Sequence, residues 1–288
     1  MSIKGKVLYP IRKALTYSFL PGVMSGLLEK RPKSKFLRGV CPSNQLFNDN
    51  KVIVAKRQGY YFELNLSDYM DWILYFHSDT DSSLNILNYV NEGDYVLDIG
   101  GNIGQTALFL SGKVGKEGKV ISFEPFPKTY QRFEKNLALN KSVNNIKLEK
   151  IALGDKPAIL KMYSENQGNS GQNRISAASD SKGEAFEVVI TTLNNYIEAN
   201  PISKIDLIKI DVEGFEYKAL LGASEVIKKY KPRLFIEVND ENLKQQGDSA
   251  SKLIDMLIGW GYDIFDAESN SKITSYQSGH IDIICRVR

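Results

Sequence analysis

Val96-Leu97-Asp98-Ile99-Gly100-Gly101-Asn102-Ile103-Gly104 carries the strongest fold signal of this chain. An apolar run leads into a glycine-rich turn, and the next apolar run, residues 120–123, is followed by a carboxylate at Glu124. Glycines allow the backbone to approach a ligand closely, and an acidic residue placed after the second strand accepts hydrogen bonds from ribose hydroxyls. The pattern therefore predicts a strand–turn–helix–strand unit that binds a nucleotide.

The positions of the glycines distinguish between two nucleotide ligands. The dinucleotide pattern Gly-x-Gly-x-x-Gly is not met, because the glycines stand at positions 100, 101 and 104. Asp98 stands two residues before the first glycine, and a pyrophosphate favours backbone amides and a helix N-terminus over a neighbouring carboxylate. A ligand with a cationic amino-acid end tolerates that carboxylate, so the turn favours S-adenosylmethionine over NAD.

The composition indicates a globular chain with a substantial core. Of the 288 residues, 42% are hydrophobic and 25% charged, which suits one large domain or one domain with an appendage. No run of 18 or more apolar residues and no N-terminal apolar signal core occurs, so neither a membrane span nor export is expected. Cys41 and Cys285 lie far apart without metal-ligand spacing, which predicts neither a zinc site nor a disulfide framework. A cytoplasmic location is the resulting prediction.

Charge is distributed unevenly along the chain. The net charge is +3, but residues 1–38 contain nine Lys or Arg and one acid, Glu29, so that segment carries +8 and the remainder −5. Apolar residues are interspersed with these cations. Two interpretations stay open: a helix packed on the core with a solvated basic edge, or peripheral contact with an anionic membrane surface. Nucleic acid is not expected as a partner, because the body is acidic and no basic-and-aromatic stripe occurs.

We predict two regions: a basic arm, a hairpin and helices over residues 1–90, and a nucleotide-binding domain over residues 91–288. In the first, residues 51–55 and 60–64 flank a Gln58-Gly59 turn and predict a hairpin. Helices are predicted after it at residues 68–77 and 82–90.

The second region alternates strands and helices, which is typical of a parallel sheet covered on both faces. Strands are predicted at 95–99, 119–124, 146–151, 205–210 and 233–238, with helices at 103–111, 127–140, 215–229 and 248–259. Residues 158–163 and 186–190 predict an antiparallel pair around a long polar loop, and residues 262–265 and 281–285 a terminal antiparallel pair. Seven strands with this ending predict an α/β fold of the class I methyltransferase (Rossmann-like) type.

Further segments carry a resemblance to a known family. They are Phe123-Glu124-Pro125-Phe126-Pro127, Asn136-Leu137-Ala138-Leu139-Asn140, Ile151-Ala152-Leu153-Gly154-Asp155, Leu207-Ile208-Lys209-Ile210-Asp211-Val212-Glu213-Gly214-Phe215-Glu216, Lys231-Pro232-Arg233 and Ile236-Glu237-Val238. In this order and spacing, residues 80–240 resemble the FkbM family of S-adenosylmethionine-dependent methyltransferases. One departure is visible, since Thr192-Leu193-Asn194 stands where the family usually has Thr-Leu-Asp. If the family's aspartate supports the active site, that role is missing in this chain. If the aspartate only caps a helix, Asn194 can take its place.

The resemblance implies methyl transfer to oxygen, on a hydroxyl of a sugar, glycolipid, polysaccharide or polyketide-type metabolite. For the cofactor, S-adenosylmethionine, we predict contacts around the amino-acid end from Asp98, Gly100, Asn102 and Gly104, and a ribose contact from Glu124. Phe126 is expected beside the adenine or in the core. Ala152, Leu153 and Asp155 follow the third strand, where a small residue admits the adenine and a carboxylate accepts from its amino group; Asp155 is otherwise a turn residue.

The segment around residue 210 supplies the candidate catalytic groups. Buried parallel strands are apolar throughout, so Lys209 and Asp211 on one face are costly unless they are paired or used. A general base aids transfer to an alkyl hydroxyl, and the candidates for it are Asp211, Glu213 and Glu237, with Lys209 lowering the cost of an alkoxide. The structural alternative is an ion pair that joins two strands.

Other polar residues offer weaker candidates. Asp211, Glu213, Glu237 and Asn239 are oxygen ligands for Mg²⁺, should they converge. His77 and His280 are candidate bases or acceptor contacts. The polar loop around Asn169, Ser170, Asn173 and Arg174, and the aromatic residues Tyr60, Tyr61 and Trp72, suit a hydroxyl-rich small-molecule or glycan acceptor.

Two alternative functions stay open at this point. One is an oxidoreductase-like nucleotide-binding domain, which Asp98 and the segment 207–214 disfavour. The other is a catalytically silent adaptor that uses the basic arm, which the presence of Asp98, Glu124 and Asp211 disfavours. The acceptor, the oligomeric state and any need for a metal are not given by the sequence.

Overall fold

A computed structural model describes residues 3–48, 51–77, 82–164, 173–175, 185–276 and 279–288. Within these residues the chain divides into two units, with the boundary after Ser82. The functional division at residue 90 that the sequence suggests stays a prediction. None of the helices in the described ranges is long and apolar enough to cross a membrane.

The first unit combines short helices with a hairpin. Its elements are α1 Ile3–Ala14, α2 Leu20–Lys30, α3 Lys35–Val40, a 3₁₀ turn Asn44–Leu46, β1 Val52–Arg57, β2 Tyr60–Asn65 and α4 Tyr69–Phe76. Gln58 and Gly59 both have positive φ, which suits a two-residue hairpin turn, so the predicted hairpin is confirmed. Arg57 is buried and donates to the Tyr75 carbonyl oxygen at 2.7 Å, which ties the hairpin to α4.

The second unit starts within a 3₁₀ helix, Ser82–Tyr89, where the sequence predicted a helix over 82–90. Its elements then follow in chain order: β3 Tyr95–Ile99, α5 Gln105–Val114, β4 Lys119–Phe123, α6 Pro127–Leu139, β5 Ile146–Glu149, β6 Ala152–Leu153, β7 Ala158–Ser164, β8 Asn173–Ile175, β9 Ala185–Thr191, α7 Leu193–Ala199, β10 Leu207–Ile210, α8 Glu216–Leu221, α9 Ser224–Tyr230, β11 Arg233–Asn239, α10 Asp240–Gln245, α11 Ala250–Gly259, β12 Tyr262–Asp266, β13 Lys272–Ile273 and β14 His280–Val287.

The main sheet has the strand order β13-β12-β14-β11-β10-β3-β4-β5. The five strands from β11 to β5 are parallel, and β14 runs antiparallel between β11 and β12. The predicted fold class is confirmed. The sheet contains the seven predicted strands and an eighth, the two-residue edge strand β13, which is too short for periodicity to reveal.

A smaller sheet, in the order β6-β9-β7-β8, interrupts the alternation. Strands β7 and β9 pair antiparallel, as the sequence predicted. Asn169 and Ser170 of the predicted polar loop lie outside the described residues, whereas the backbone of Asn173 and Arg174 lies in β8 and pairs with β7.

The predicted helix 215–229 is two helices, α8 and α9, separated at Gly222. A Cβ on Gly222 would lie 1.9 Å from the Gly154 carbonyl oxygen, so a close backbone approach sets this break. Asn194, the departure from the family pattern, accepts a hydrogen bond from the Val226 backbone at 3.1 Å and joins α7 to α9. Its observed contact is therefore structural.

Successive residues of a strand point to opposite faces of the sheet, which gives one apolar layer on each face. Beyond one of these layers lie the paired side chains of Asp98 and Lys209, which we call the polar row. Val96 and Leu207 lie in the apolar layer on one face of the sheet, whereas Leu97 and Ile208 lie in the layer on the other. Two residues beyond Val96 and Leu207, the first face carries Asp98 and Lys209, directly paired across β3 and β10. The row therefore emerges at the carboxyl ends of the parallel strands, where open α/β sheets bind their ligands.

Candidate active site

The turn after β3 is shaped by glycines. Gly100 and Gly101 both donate their N–H to the Phe123 carbonyl oxygen at 3.0 Å. Gly100 and Gly104 have φ of +91° and +88°, a region that favours glycine. A Cβ on Gly100 would lie 1.9 Å from the Asp211 carbonyl oxygen, and one on Gly104 would lie 2.3 Å from the Phe133 ring. Glycine is thus required by both conformation and space. Gly104 also caps α5, which explains why the helix begins at Gln105 and not at residue 103.

Glu124 closes the turn from the neighbouring strand. Its Oε2 accepts from the Asn102 backbone at 2.8 Å and its Oε1 from the Phe126 backbone at 2.9 Å. Burial raises the pKa of Glu124 to about 7, against the lowering effect of these two hydrogen bonds. Each carboxylate oxygen has a second lone pair for a ligand hydroxyl. The geometry is thus compatible with the predicted ribose contact.

The polar row of the sheet lies beneath this turn. Asp98 is completely buried; its Oδ2 accepts from the Ser122 hydroxyl at 2.7 Å, and its Oδ1 lies 3.3 Å from Lys209 Nζ. Lys209 Nζ also donates to the Gly100 carbonyl oxygen at 2.9 Å and lies 3.2 Å from Asp211 Oδ2. Burial opposes the charge of Lys209, but the two carboxylates outweigh it and raise the pKa.

Lys209 Nζ thus has three oxygen atoms within 3.3 Å, one as a hydrogen-bond acceptor and two as ion-pair partners. This geometry indicates that Lys209 positions Asp211 through an ion pair. It does not favour direct contact between Lys209 and an acceptor. Asp98, with no exposed surface, supports the turn from below, and its predicted contact with the cofactor stays a prediction.

Two carboxylates and an imidazole lie next to Lys209 at the same edge of the sheet. We call these residues, Asp211, Glu237 and His280, the carboxylate cluster. Burial works against ionisation of Asp211, but Lys209 and a hydrogen bond from Glu237 hold the Asp211 pKa below its ordinary value. The Asp211 charge, together with burial, raises the pKa of Glu237 to about 8. His280 Nε2 lies 2.7 Å from Glu237 Oε1, and this contact raises the His280 pKa to about 9. The half-exposed His280 side chain places the end of the cluster in contact with solvent.

The loop that carries Asp211 depends on a residue to which sequence analysis assigned no role, Glu216. Its Oε1 accepts from the backbone N–H groups of Val212 and Gly214, at 3.1 and 3.0 Å. Burial raises the pKa of this carboxyl to about 7. The signal was an acid in the first turn of a helix that follows a glycine. Glu213, a candidate base in the same loop, accepts a hydrogen bond from Asn242 Nδ2 of α10 at 2.8 Å.

Several predicted site residues have other surroundings. Phe126 is buried and packs edge-on against Phe186 with Met162 and Val188 nearby, which is the core alternative. Ala152 and Leu153 are buried, and Asp155 is exposed in the bend after them. Their predicted adenine contacts stay predictions.

His77 belongs to the first unit. Its Nδ1 lies 3.0 Å from Arg38 Nη1 and its ring packs against Trp72, whose indole N–H donates to the Pro42 carbonyl oxygen. These contacts give His77 and Trp72 each a structural role within the first unit. A catalytic role for His77 stays a prediction.

The oxygen ligands suggested for Mg²⁺ are engaged elsewhere. Asn239 Oδ1 caps α10, Glu213 binds Asn242, and Asp211 pairs with Lys209. Among the described residues, the group with metal-ligand proximity is Glu237, His280 and Asp282, whose ligand atoms lie within 4.8 Å of one another. That group includes one of the four suggested ligands, so the predicted Mg²⁺ site is not supported.

A cavity of about 520 Å³ lies at the opposite, amino edge of the sheet, lined by residues that include Lys228, Trp260 and Arg288. It is remote in the sheet from the polar row and is not part of this site.

The residues of the turn fit S-adenosylmethionine. Asn102 Oδ1 is buried without a hydrogen-bond partner among the described residues, Glu124 retains accepting capacity, and the glycines leave the backbone bare. The strand order, the inserted antiparallel strand and this turn together are those of the class I, S-adenosylmethionine-dependent methyltransferase fold.

Comparison with known proteins specifies the family. The family model described as "Methyltransferase FkbM domain" matches residues 98–264, more than half of the chain. The chain belongs to the FkbM methyltransferase family, as its sequence motifs predicted.

Individual relatives are distant. Methyltransferase sdnD of Sordaria araneosa is 28% identical over 205 residues, covering 62% of this chain and 77% of that protein. Methyltransferase 1 of Beauveria bassiana is 26% identical over 46% of this chain, and the match spans 60% of its length. The hexuronic acid methyltransferase AglP of Haloferax volcanii is 23% identical over 50% of this chain and 55% of its own length. A solved structure, Methyltransferase FkbM from Methylobacillus flagellatus KT, has a TM-score of 0.46 and 14% identity, covering 94% of this chain and 60% of that one.

Proposed function

We propose that this protein transfers a methyl group from S-adenosylmethionine to a hydroxyl oxygen of a carbohydrate, glycoconjugate or related metabolite. The observation that carries the proposal is the carboxylate cluster at the carboxyl edge of the sheet, joined through Lys209 to the glycine turn. A relative whose name describes a hexuronic acid methyltransferase supports a carbohydrate acceptor.

S-adenosylmethionine, when bound, supplies a methyl group whose C–S bond breaks as the C–O bond to the acceptor forms, with the electron pair remaining on sulfur. The acceptor hydroxyl must lose its proton in this displacement. Asp211 is held ionised by Lys209 and is more than a third exposed, so it is the residue of the cluster best placed to accept that proton.

Glu237 and His280 form a path by which the proton can pass from Asp211 to solvent. The negative charge of Asp211 keeps the Glu237 pKa high, so protonation of Asp211 removes that effect and favours release of the Glu237 proton. His280, half exposed and kept protonated at neutral pH by its raised pKa, releases its own proton to solvent and then takes up the proton from Glu237. Glu237 and His280 therefore act on the acceptor through Asp211, as positioning and relay groups.

The proposal is tested by incubating the protein with methyl-labelled S-adenosylmethionine and a panel of neutral sugars, uronic acids and glycolipids. Label on an oxygen of a hydroxyl-rich acceptor is the expected result, with the position located by mass spectrometry. Methylation of nitrogen or carbon instead, or donor binding with no transfer to any hydroxylated acceptor, would contradict it. The second of these results would favour the silent adaptor.

The relay is tested in the same assay with His280→Gln. Loss of the imidazole is expected to lower the rate several-fold and to change the pH–rate profile between about pH 8 and 9, while donor affinity is retained. Glu134→Gln neutralises an exposed carboxylate on α6 and serves as the control. A His280→Gln profile that superimposes on that of the wild type would remove His280 from the mechanism.

A further inference from the structure

The first unit presents an unusual number of exposed apolar side chains. Phe19, Val23 and Leu27 are 71%, 49% and 43% exposed. They are spaced four residues apart at the start of α2 and along it, so they lie on one face of the helix. We call these three residues the apolar stripe.

The opposite face of α2 is fixed within the unit. Pro21, Met24, Ser25 and Leu28 are buried, and Ser25 donates to the Tyr75 carbonyl oxygen at 3.1 Å. The helix is thus held by one face, while the side chains of the apolar stripe on the other face stay exposed to solvent. Phe36, at 74% exposure, adds a further aromatic ring on α3.

Exposed cations follow this apolar surface in the chain. Lys30, Arg31, Lys33 and Lys35 are exposed directly after the stripe. The one acid among residues 1–38, Glu29, has its carboxylate 3.4 Å from Arg57 Nη1, so a buried cation offsets its charge. The solvent-facing charge of these helices is consequently positive.

We propose that this surface binds the face of an anionic lipid bilayer. Apolar side chains on one helix face enter the boundary between headgroups and acyl chains, while flanking Lys and Arg residues pair with lipid phosphates. A second copy of the chain fits less well, because two surfaces of the same positive charge would repel each other. Nucleic acid fits less well because the stripe itself contains no cation. The proposal does not depend on the nature of the methyl acceptor.

The experiment is flotation of the full-length protein with two kinds of vesicle, phosphatidylcholine alone and phosphatidylcholine mixed with phosphatidylserine. Binding to the anionic vesicles, with little binding to the neutral ones and release at high salt, is expected. The triple variant Phe19→Ser/Val23→Ser/Leu27→Ser should bind the anionic vesicles at least about tenfold more weakly, since each residue loses apolar area that the bilayer would cover.

A matched control is available in the second unit. Ile159 and Val189 are exposed and pair directly across β7 and β9. The double variant Ile159→Ser/Val189→Ser removes exposed apolar surface outside the stripe and should leave flotation unchanged. Unfolding temperatures measured for each variant separate lost binding from lost folding.

Two results would overturn the proposal. One is wild-type protein that stays unbound to anionic vesicles at low salt. The other is a folded triple variant that floats as well as the wild type. A wild-type dimer that the triple variant abolishes, with no vesicle binding by either, would assign the surface to a second copy instead.

Discussion

The glycine turn and the carboxylate cluster meet at Lys209 but are built in opposite ways. The turn is made of backbone: its N–H groups bind the Phe123 carbonyl and the Glu124 carboxylate, and added side chains would collide. The cluster is made of side chains from β11, β14 and the loop after β10, with charges that set one another's pKa values. The turn should therefore be sensitive to volume and the cluster to charge.

The largest effect is expected where the two regions touch. In Gly100→Ala the new methyl group would meet the Asp211 carbonyl oxygen at 1.9 Å in a backbone of φ +91°, so the turn and the Asp211 loop must separate. We expect a loss of more than about 4 kcal/mol of unfolding free energy, measured by denaturant titration.

Gly247→Ala is the matched control for this substitution. Gly247 has a similar φ of +84°, but a Cβ there would meet nothing within 4 Å. Strain alone should cost about 1 kcal/mol. Equal losses for the two variants would show that the close approach at Gly100 is unimportant.

A substitution at the junction itself tests the dependence on charge. Lys209→Met keeps the volume but leaves Asp98 and Asp211 without their shared cation, and Asp98 is completely buried. We expect a loss of about 3–5 kcal/mol in unfolding free energy.

Adding Asp98→Asn to Lys209→Met removes the buried uncompensated charge, so the double variant should recover part of the loss. Lys116→Met, at an exposed position in the loop after α5, is the control. If the double variant is no more stable than Lys209→Met, the buried charge is not the cause of the loss.

A smaller effect distinguishes Glu124 by its pH dependence. Its pKa rises from 4.5 to about 7 on folding, so the native state binds this proton more tightly than the unfolded chain. The resulting stabilisation is complete below about pH 4.5 and is lost as the pH rises to about 7. Glu124→Gln should reduce this decline in unfolding free energy by about 3 kcal/mol.

Glu216, with a pKa also raised to about 7, still titrates in Glu124→Gln and leaves part of the slope in place. Glu134→Gln should leave the whole slope unchanged. Identical pH profiles for the wild type and Glu124→Gln would refute the raised pKa.

The same contrast explains how much could be predicted from the sequence. The turn could be predicted because its glycines, Asp98 and Glu124 stand at fixed local spacings. The sheet could be predicted because strands and helices alternate along the chain. The cluster could be predicted in part. Lys209, Asp211 and Glu237 were candidate catalytic residues, because polar residues are conspicuous in and beside buried strands.

What escaped prediction depends on strand register and close packing. His280 reaches Glu237 because β14 runs antiparallel beside β11, with Asn239 opposite His280. The break between α8 and α9 depends on the approach of Gly222 to the Gly154 carbonyl. Neither contact leaves a pattern in the local sequence.

The central claim is that Asp211 serves transfer and not cofactor binding. The most direct test measures Asp211→Asn by calorimetric titration with S-adenosylmethionine and by single-turnover methyl transfer to the best acceptor from the panel. We predict donor affinity within a few-fold of the wild type and a transfer rate lower by about 10²–10⁴-fold, with Glu134→Gln unchanged in both. A variant that transfers at the wild-type rate, or that loses transfer in proportion to donor affinity, would contradict the account.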